Sequence, residues 1–488
     1  FCLKTKTNKM DNSFQVTGNN PEALFTLKIH RGDGMALLAM NWKGGRPPKE
    51  FVGFAIEYKQ PGGQQFFALR NRLCFPNSDG SVNPNTLSSL LSPIQKFRWV
   101  HFPRNAELEG LFIYRVTPVF MDKEDVLSYG EFQSASIALA RETYPDQLNV
   151  TFTRGFVASQ AFIDRYQKNG KIETLLPRKA DDGPDFQPTH PNSKEALEWM
   201  GFEARHAVLE VLDLAIADKT AQVRVIAYDL SEAVFIEKLE KLKGRLKIII
   251  DDDGSHKKPT SGETQAEARL RKTAGDNNVL RQHMGKLQHN KVIIVSGKVQ
   301  RVVCGSTNFS WRGFFVQANN ALVLQGATPV QVFLEAFENY WLSDGSVSRF
   351  GASRSAGWNN LKLKGIRAKV SFSPHTSSNA LLQEIGDDVE NNTSSSLFYS
   401  LAFLFQTPGI MRDAIKKVSA KKGIFVYGIS DKGVKELQLQ KPDGNIAPVF
   451  PATLVKKNTP EPFKSEVAGG GGNRMHHKFL VIDFDKPT

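Results

Sequence analysis

The sequence is poor in the features that would staple, span or chelate. Its 488 residues hold three cysteines, Cys2, Cys74 and Cys304. An odd, widely spaced set supplies no disulfide framework, and without a CxxC it offers no cysteine zinc site. A reduced compartment is expected, and we take it as cytoplasmic. Long apolar runs are missing too: the stretch from Leu397 to Phe405 reaches about half of the ~20 residues a membrane-spanning helix requires and reads as a buried strand. Acidic residues are the scarcer charge, 50 Asp and Glu against 63 Lys and Arg, for a net charge of +13 and a pI near 9.4. That imbalance favours polyanionic partners, either nucleic acid or an anionic membrane surface.

What is present falls into blocks. Residues 1–22 are polar without apolar periodicity and are expected to form a tail. Over 23–140 the chain alternates short apolar or aromatic runs with turn-rich separators such as Pro61-Gly62-Gly63. The runs are Phe25–Ile29, Met35–Trp42, Phe51–Tyr58, Gln65–Arg70, Phe97–Phe102, Leu111–Phe120 and Leu127–Phe132. Seven strands at this spacing predict an all-β sandwich, and Tyr114 to Val119 resembles a late strand of an immunoglobulin or fibronectin type III module.

Beyond residue 141 helical periods alternate with buried strands, which predicts an α/β domain with a sheet covered on both faces. A helix is expected over Glu195–Ala217, then strands at Gln222–Tyr228, Leu246–Asp251 and Val292–Val295. The order recurs with a strand at Ser396–Phe405, a helix at Gly409–Lys421 and strands at Gly423–Gly428 and Phe479–Ile482. An internal duplication is therefore expected, with halves at 141–365 and 366–488.

Each half ends in a His-x-Lys that runs into an apolar strand: His289-Asn290-Lys291 and His476-His477-Lys478. In an extended chain, side chains two apart share a face, so each histidine stands beside a fixed cation. The second motif reads HxKxxxxD through Asp483, whereas the first has Ser296 where that Asp would stand. Gly305-Ser306-Thr307-Asn308 follows the first motif; its glycine permits close backbone approach, and its hydroxyl and amide are suited to an oxyanion.

Two HxK strands in a duplicated α/β chain, with GSxN behind the first, resemble the phospholipase D superfamily, in the manner of its bacterial nuclease-like members. The resemblance covers 141–488 and implies two α/β/α halves related by a pseudo-twofold axis, with both histidines at one cleft. It further implies a phosphohistidine mechanism without metal or cofactor, with His289 as nucleophile and His476 as general acid. Lys291, Lys478, Ser306 and Asn308 would bind phosphate, and Asp483 would be a supporting residue. Ser296 leaves one histidine without its usual carboxylate, and no second GSxN precedes Thr488.

Other polar groups point less directly to chemistry. His256, His283 and His375 read as surface or hydrogen-bonding residues, and His477 points away from His476. Asp251-Asp252-Asp253 reads as a solvated strand-end loop rather than a hard-cation site, and Gly469 to Gly472 lacks the Lys-Ser/Thr of a phosphate-binding loop. Basic stretches at Lys238–Lys247, His256–Lys258, Arg269–Lys272 and Lys416–Lys422 are either exposed helix faces or a polyanion track. The expected function is a metal-independent nuclease acting on DNA or RNA. Phospholipid hydrolysis or transphosphatidylation by the same site is the alternative, and a catalytically weakened nucleic-acid-binding protein is a third reading.

Overall fold

The computed structural model describes residues 14–486 apart from 140–142, 155–161, 179–181, 376–379, 441–445, 452–474 and isolated gaps of one or two residues. Gly469 to Gly472 and most of the N-terminal tail lie outside the described residues. The chain divides into two compact units, residues 1–143 and 144–488.

The first unit is all-β. One sheet has the order β1 (Gln15–Thr17), β2 (Phe25–Gly32), β3 (Met35–Trp42), β6 (Arg98–His101). The other runs β5 (Phe67–Ala68), β4 (Phe51–Lys59), β7 (Leu111–Met121), β8 (Leu127–Tyr129), with β9 (Gln133–Ala138) also on β7. Along β2 burial alternates residue by residue, with Phe25, Leu27 and Ile29 inward. They meet Phe54, Ile56, Phe112 and Tyr114 of the other sheet in a common core. A period of two with one face in the core makes the layer self-consistent. All seven expected strands form, and two more with them. β1 falls inside the segment expected as tail, where Gln15 to Thr17 pair with Lys28 to His30.

Among the described residues the second unit holds two main sheets and two two-stranded ladders. The larger is seven-stranded, in the order β10 (Leu148–Phe152), β16 (Asn320–Gln325), β15 (Gln300–Gly305), β14 (Lys291–Ser296), β11 (Gln222–Ala227), β12 (Leu246–Ile250), β13 (Val279–Arg281). The run Val292-Ile293-Ile294-Val295 is apolar throughout because both its faces are covered. Ile293 and Val295 pack with the helices Ser193–Ala217, Ala233–Leu242 and Gly262–Ala274, while Val292 and Ile294 pack with the helix Ala327–Ser343. The first of these helices is broken at Phe202, whose φ of 47° is left-handed, a conformation that costs energy for a residue with a bulky side chain.

A two-residue ladder, β17 (Asn359–Asn360) with β18 (Lys369–Val370), leads to the smaller sheet. There β19 (Ser396–Leu401) lies between β20 (Phe425–Ser430) and β24 (Lys478–Ile482), and β23 (Val449–Pro451) adds to β20; β21 (Leu439–Gln440) and β22 (Ile446–Ala447) pair separately. The helices Ala380–Asn392 and Ile410–Ser419 cover one face. On β20 burial alternates, leaving Phe425, Tyr427 and Ile429 exposed and Val426 buried. Just before β24, Met475 bridges to Ala318 and the His476 amide donates to the Ala318 carbonyl at 3.0 Å. That contact carries the second His-x-Lys onto the first sheet. Among the described residues no helix is long and apolar enough to cross a membrane.

Candidate active site

Lys291 is the first residue of β14 and Lys478 the first of β24, so each histidine sits just ahead of a strand. Since Ala227 pairs with Lys291 across β11 and β14, the residues that follow β11 lie beside His289. The carboxyl ends of the parallel strands β11, β12 and β13 converge there, the usual place for a ligand site in an α/β sheet. An open cleft of about 470 Å³ has His289 and Asn290 in one wall, with Lys286, Leu287, Val347 and Pro374 among the others.

The imidazoles of His289 and His476 lie 6.5 Å apart, centroid to centroid, at 76°. Lys291 donates to the His289 carbonyl and places its ammonium 4.6 Å from the Tyr228 ring centroid. Lys478 donates to the His476 carbonyl at 2.8 Å. Lys291 is only 4% exposed, and this burial pulls its pKa down to about 7; burial likewise takes Lys478 down to about 8. His289 is lowered to about 3 by burial, then by Lys291 and Lys478. His476 falls to about 3 for the same reasons, in the order burial, Lys478, Lys291. Both rings are therefore neutral near pH 7, the form in which a ring nitrogen keeps a lone pair.

For His476 the tautomer follows from its partner. Asn319 donates through Nδ2 to the Gly313 carbonyl at 2.8 Å, which can only accept, so its Oδ1 must face the other way. That oxygen lies 2.8 Å from His476 Nδ1 and accepts from Ser306 Oγ at 2.9 Å. Nδ1 therefore carries the hydrogen and Nε2 the lone pair. No hydrogen bond to the His289 ring is found among the described residues.

The expected phosphate ligands lie close by but face inward. Ser306 is 7% and Asn308 3% exposed. The Ser306 hydroxyl bonds to Asn319 and Asn320, and Asn308 Nδ2 donates to Asp229 at 2.6 Å. Gly305 is required for a reason other than oxyanion approach: its φ is 144°, and a Cβ there would stand 2.4 Å from the Asn320 carbonyl oxygen. Asp483 lies at the far end of β24 from Lys478. Its carboxylate accepts from the amides of Ser394 and Ser395 at 2.9 and 2.8 Å. It orients the start of β19 and touches neither histidine. His477 packs on Phe152 and Phe479.

The acidic strand end departs from the expected solvated loop. Asp251 is fully buried; it accepts from the Gln288 amide and lies 2.7 Å from His256 Nδ1. His256 Nε2 lies 3.3 Å from Asp229 and 4.0 Å from Glu263. Burial opposes the charged form of His256, but its hydrogen bonds to Asp229 and Asp251 prevail and raise it to about 10. Asp229, His256 and Glu263 place one donor atom each within 4.8 Å of one another, a spacing that could hold a metal ion. The sequence reading passes over Asp229 and Asn319, and it names Asp251 and His256 without placing them at the site. The available signal was position: Asp229 lies two residues beyond β11 and Asp251 immediately follows β12.

Residues 213–341 match the family model described as the PLD-like domain of cardiolipin synthase. No curated protein matches the chain. Among solved structures, a phospholipase D family member, Nuc, from Salmonella typhimurium is 25% identical over 28% of this chain and 86% of its own, with a TM-score of 0.21. NucT from Helicobacter pylori is 15% identical over 29% and 91%, with a TM-score of 0.24. Phosphatidylserine synthase from Haemophilus influenzae Rd KW20 is 14% identical over 58% and 74%, with a TM-score of 0.35. The span matched by the family model carries the first His-x-Lys, the GSxN stretch and Asn319, so residues 213–341 form a phospholipase D-like domain.

Proposed function

We propose that this chain is a metal-independent phosphodiesterase that cleaves a nucleic-acid backbone through a phosphohistidine. The observation that carries this reading is the neutral histidine pair, 6.5 Å apart with a lysine beside each ring. A phosphodiester transition state spreads negative charge over its nonbridging oxygens, and two preorganised ammonium groups supply the opposing charge. The net charge of +13 suits a polyanionic substrate.

In the first step a histidine Nε2 bonds to phosphorus while the bond to the leaving oxygen breaks, and that oxygen takes a proton from the second histidine. Water then attacks phosphorus, gives its proton back to the second histidine, and the N–P bond breaks. His476 suits attack, because Asn319 fixes its lone pair on Nε2. His289 then serves as the acid, protonated as the phosphate anion arrives beside it. This order reverses the one implied by the family resemblance, and the pseudo-twofold relation of the two halves belongs to the same reading.

The test is cleavage in EDTA of labelled single- and double-stranded DNA, RNA and mixed phospholipid vesicles by wild type, His289→Ala and His476→Ala. Loss of nucleic-acid cleavage in both variants supports the proposal. Headgroup release lost in both would make the chain a lipid-acting enzyme, and silence on every substrate a binding protein. An acid-quenched label retained on His476 supports its role as nucleophile; a label on His289 reverses the assignment.

A further inference from the structure

Outside the reacting pair, one set of polar residues has no place in the mechanism above: the buried Asp251 and the half-buried His256 and Asp229. They form a continuous path of hydrogen bonds. It starts at the Gln288 amide, immediately before His289, which donates to one oxygen of Asp251. The other oxygen of Asp251 accepts from His256 Nδ1 at 2.7 Å. The far side of the ring, Nε2, lies 3.3 Å from one oxygen of Asp229. The second oxygen of Asp229 accepts from Asn308 Nδ2 at 2.6 Å.

The path is braced along its length. Arg281 donates to the backbone carbonyls of both Asp251 and His256, at 3.0 and 2.7 Å, and Ser261 Oγ donates to the His256 carbonyl at 2.8 Å. Glu263 accepts from the Leu230 amide at 2.9 Å, which holds the chain just after Asp229. The Tyr228 ring lies between His256 and His289, 4.7 and 4.5 Å from their centroids. With carboxylates on both ring nitrogens His256 must donate twice, so it joins two anions that would otherwise repel each other.

Resting on the reading of this cleft as a phosphoryl-transfer site, we infer that His256 is a positioning residue that fixes the spacing between His289 and the Asn308 amide by joining Asp251 to Asp229. It touches no reacting atom. Without it, Asp229 loses the partner that aims it at Asn308, and the loop carrying His289 loses its tie to the Gly305–Asn308 stretch. Displacements of about 1 Å at a reacting centre cost on the order of 100-fold in rate.

The experiment uses the full chain as His256→Gln, Asp229→Asn, Asn308→Ala and the double variant His256→Gln/Asn308→Ala. Vanadate affinity is measured beside kcat and KM on a nucleic-acid substrate in EDTA. Expected is a roughly 10- to 100-fold loss of vanadate affinity and of kcat/KM in each single variant, with the double variant no worse than Asn308→Ala alone, as for residues acting through one path. Free imidazole added to His256→Ala should restore part of the loss. Full additivity in the double variant overturns the proposal, as does a folded His256→Gln chain with wild-type vanadate affinity. A stoichiometric divalent metal that survives dialysis of the wild type and is lost in Glu263→Gln also overturns it, by making the cluster a metal site. If no nucleic acid is cut but vanadate binding follows the predicted pattern, the substrate assignment fails and the positioning role stands.

Discussion

At the scale of single residues, the two histidines differ in what holds them. His476 gives its Nδ1 hydrogen to a neutral amide, which offers little to an imidazolium. Asn319→Asp would put a carboxylate there and raise the His476 pKa by roughly one unit or more. Attack needs the unprotonated ring, so the acidic limb of the kcat/KM profile should move to higher pH by a similar amount. An unmoved limb would show that Asn319 does not set the state of His476. Lys291 makes a second case. Its pKa is lowered from 10.5 to about 7, so the unfolded chain binds the proton more tightly, and the lysine disfavours folding most below pH 7. Lys291→Met should therefore abolish turnover yet stabilise the fold at pH 6 by about 1 kcal/mol or more. That gain should shrink as pH rises from 7 toward 10.5, and thermal melting across this range measures it.

At the scale of elements, legibility followed burial geometry. The strand after His289 could be read because four consecutive apolar residues need a sheet covered on both faces. β9 was missed because Gln133-Ser134-Ala135-Ser136 alternates small and polar residues and carries almost no hydrophobic contrast. The run Gln65–Arg70 shrinks to Phe67–Ala68, since only its middle pairs with β4. The site was half legible: motif spacing found the histidines and lysines, but Asp251 is adjacent in sequence to two further acids, and only the sheet distinguishes a buried carboxylate from its neighbours. Burial also sets the cost of substitution. Ile294→Ala, fully inside the larger sheet, should lose about 2–5 kcal/mol. Tyr427→Ser on the outer face of β20, where the tyrosine is 45% exposed, should change stability by under about 1 kcal/mol. Denaturant midpoints compare the two directly, and an equal loss at Tyr427 would mean that this face is covered in solution.

At the scale of the whole molecule, the net charge of +13 acts over distances that no single hydrogen bond reaches. Nucleic-acid affinity should fall steeply with salt, as expected when bound cations are released from a phosphate backbone. Between 50 and 200 mM salt a loss of roughly 10-fold or more is expected by fluorescence anisotropy. A flat response would mean that the positive charge does not face the ligand. The bridge from Met475 to Ala318 has a further consequence, in time rather than in energy. His289 leaves the ribosome well before His476, and domains fold largely in the order they are made. The larger sheet can therefore stand complete while holding only one of the two paired histidine rings. Activity would begin abruptly as the segment that starts at Met475 docks, so a chain halted anywhere short of it would be folded in large part and chemically silent.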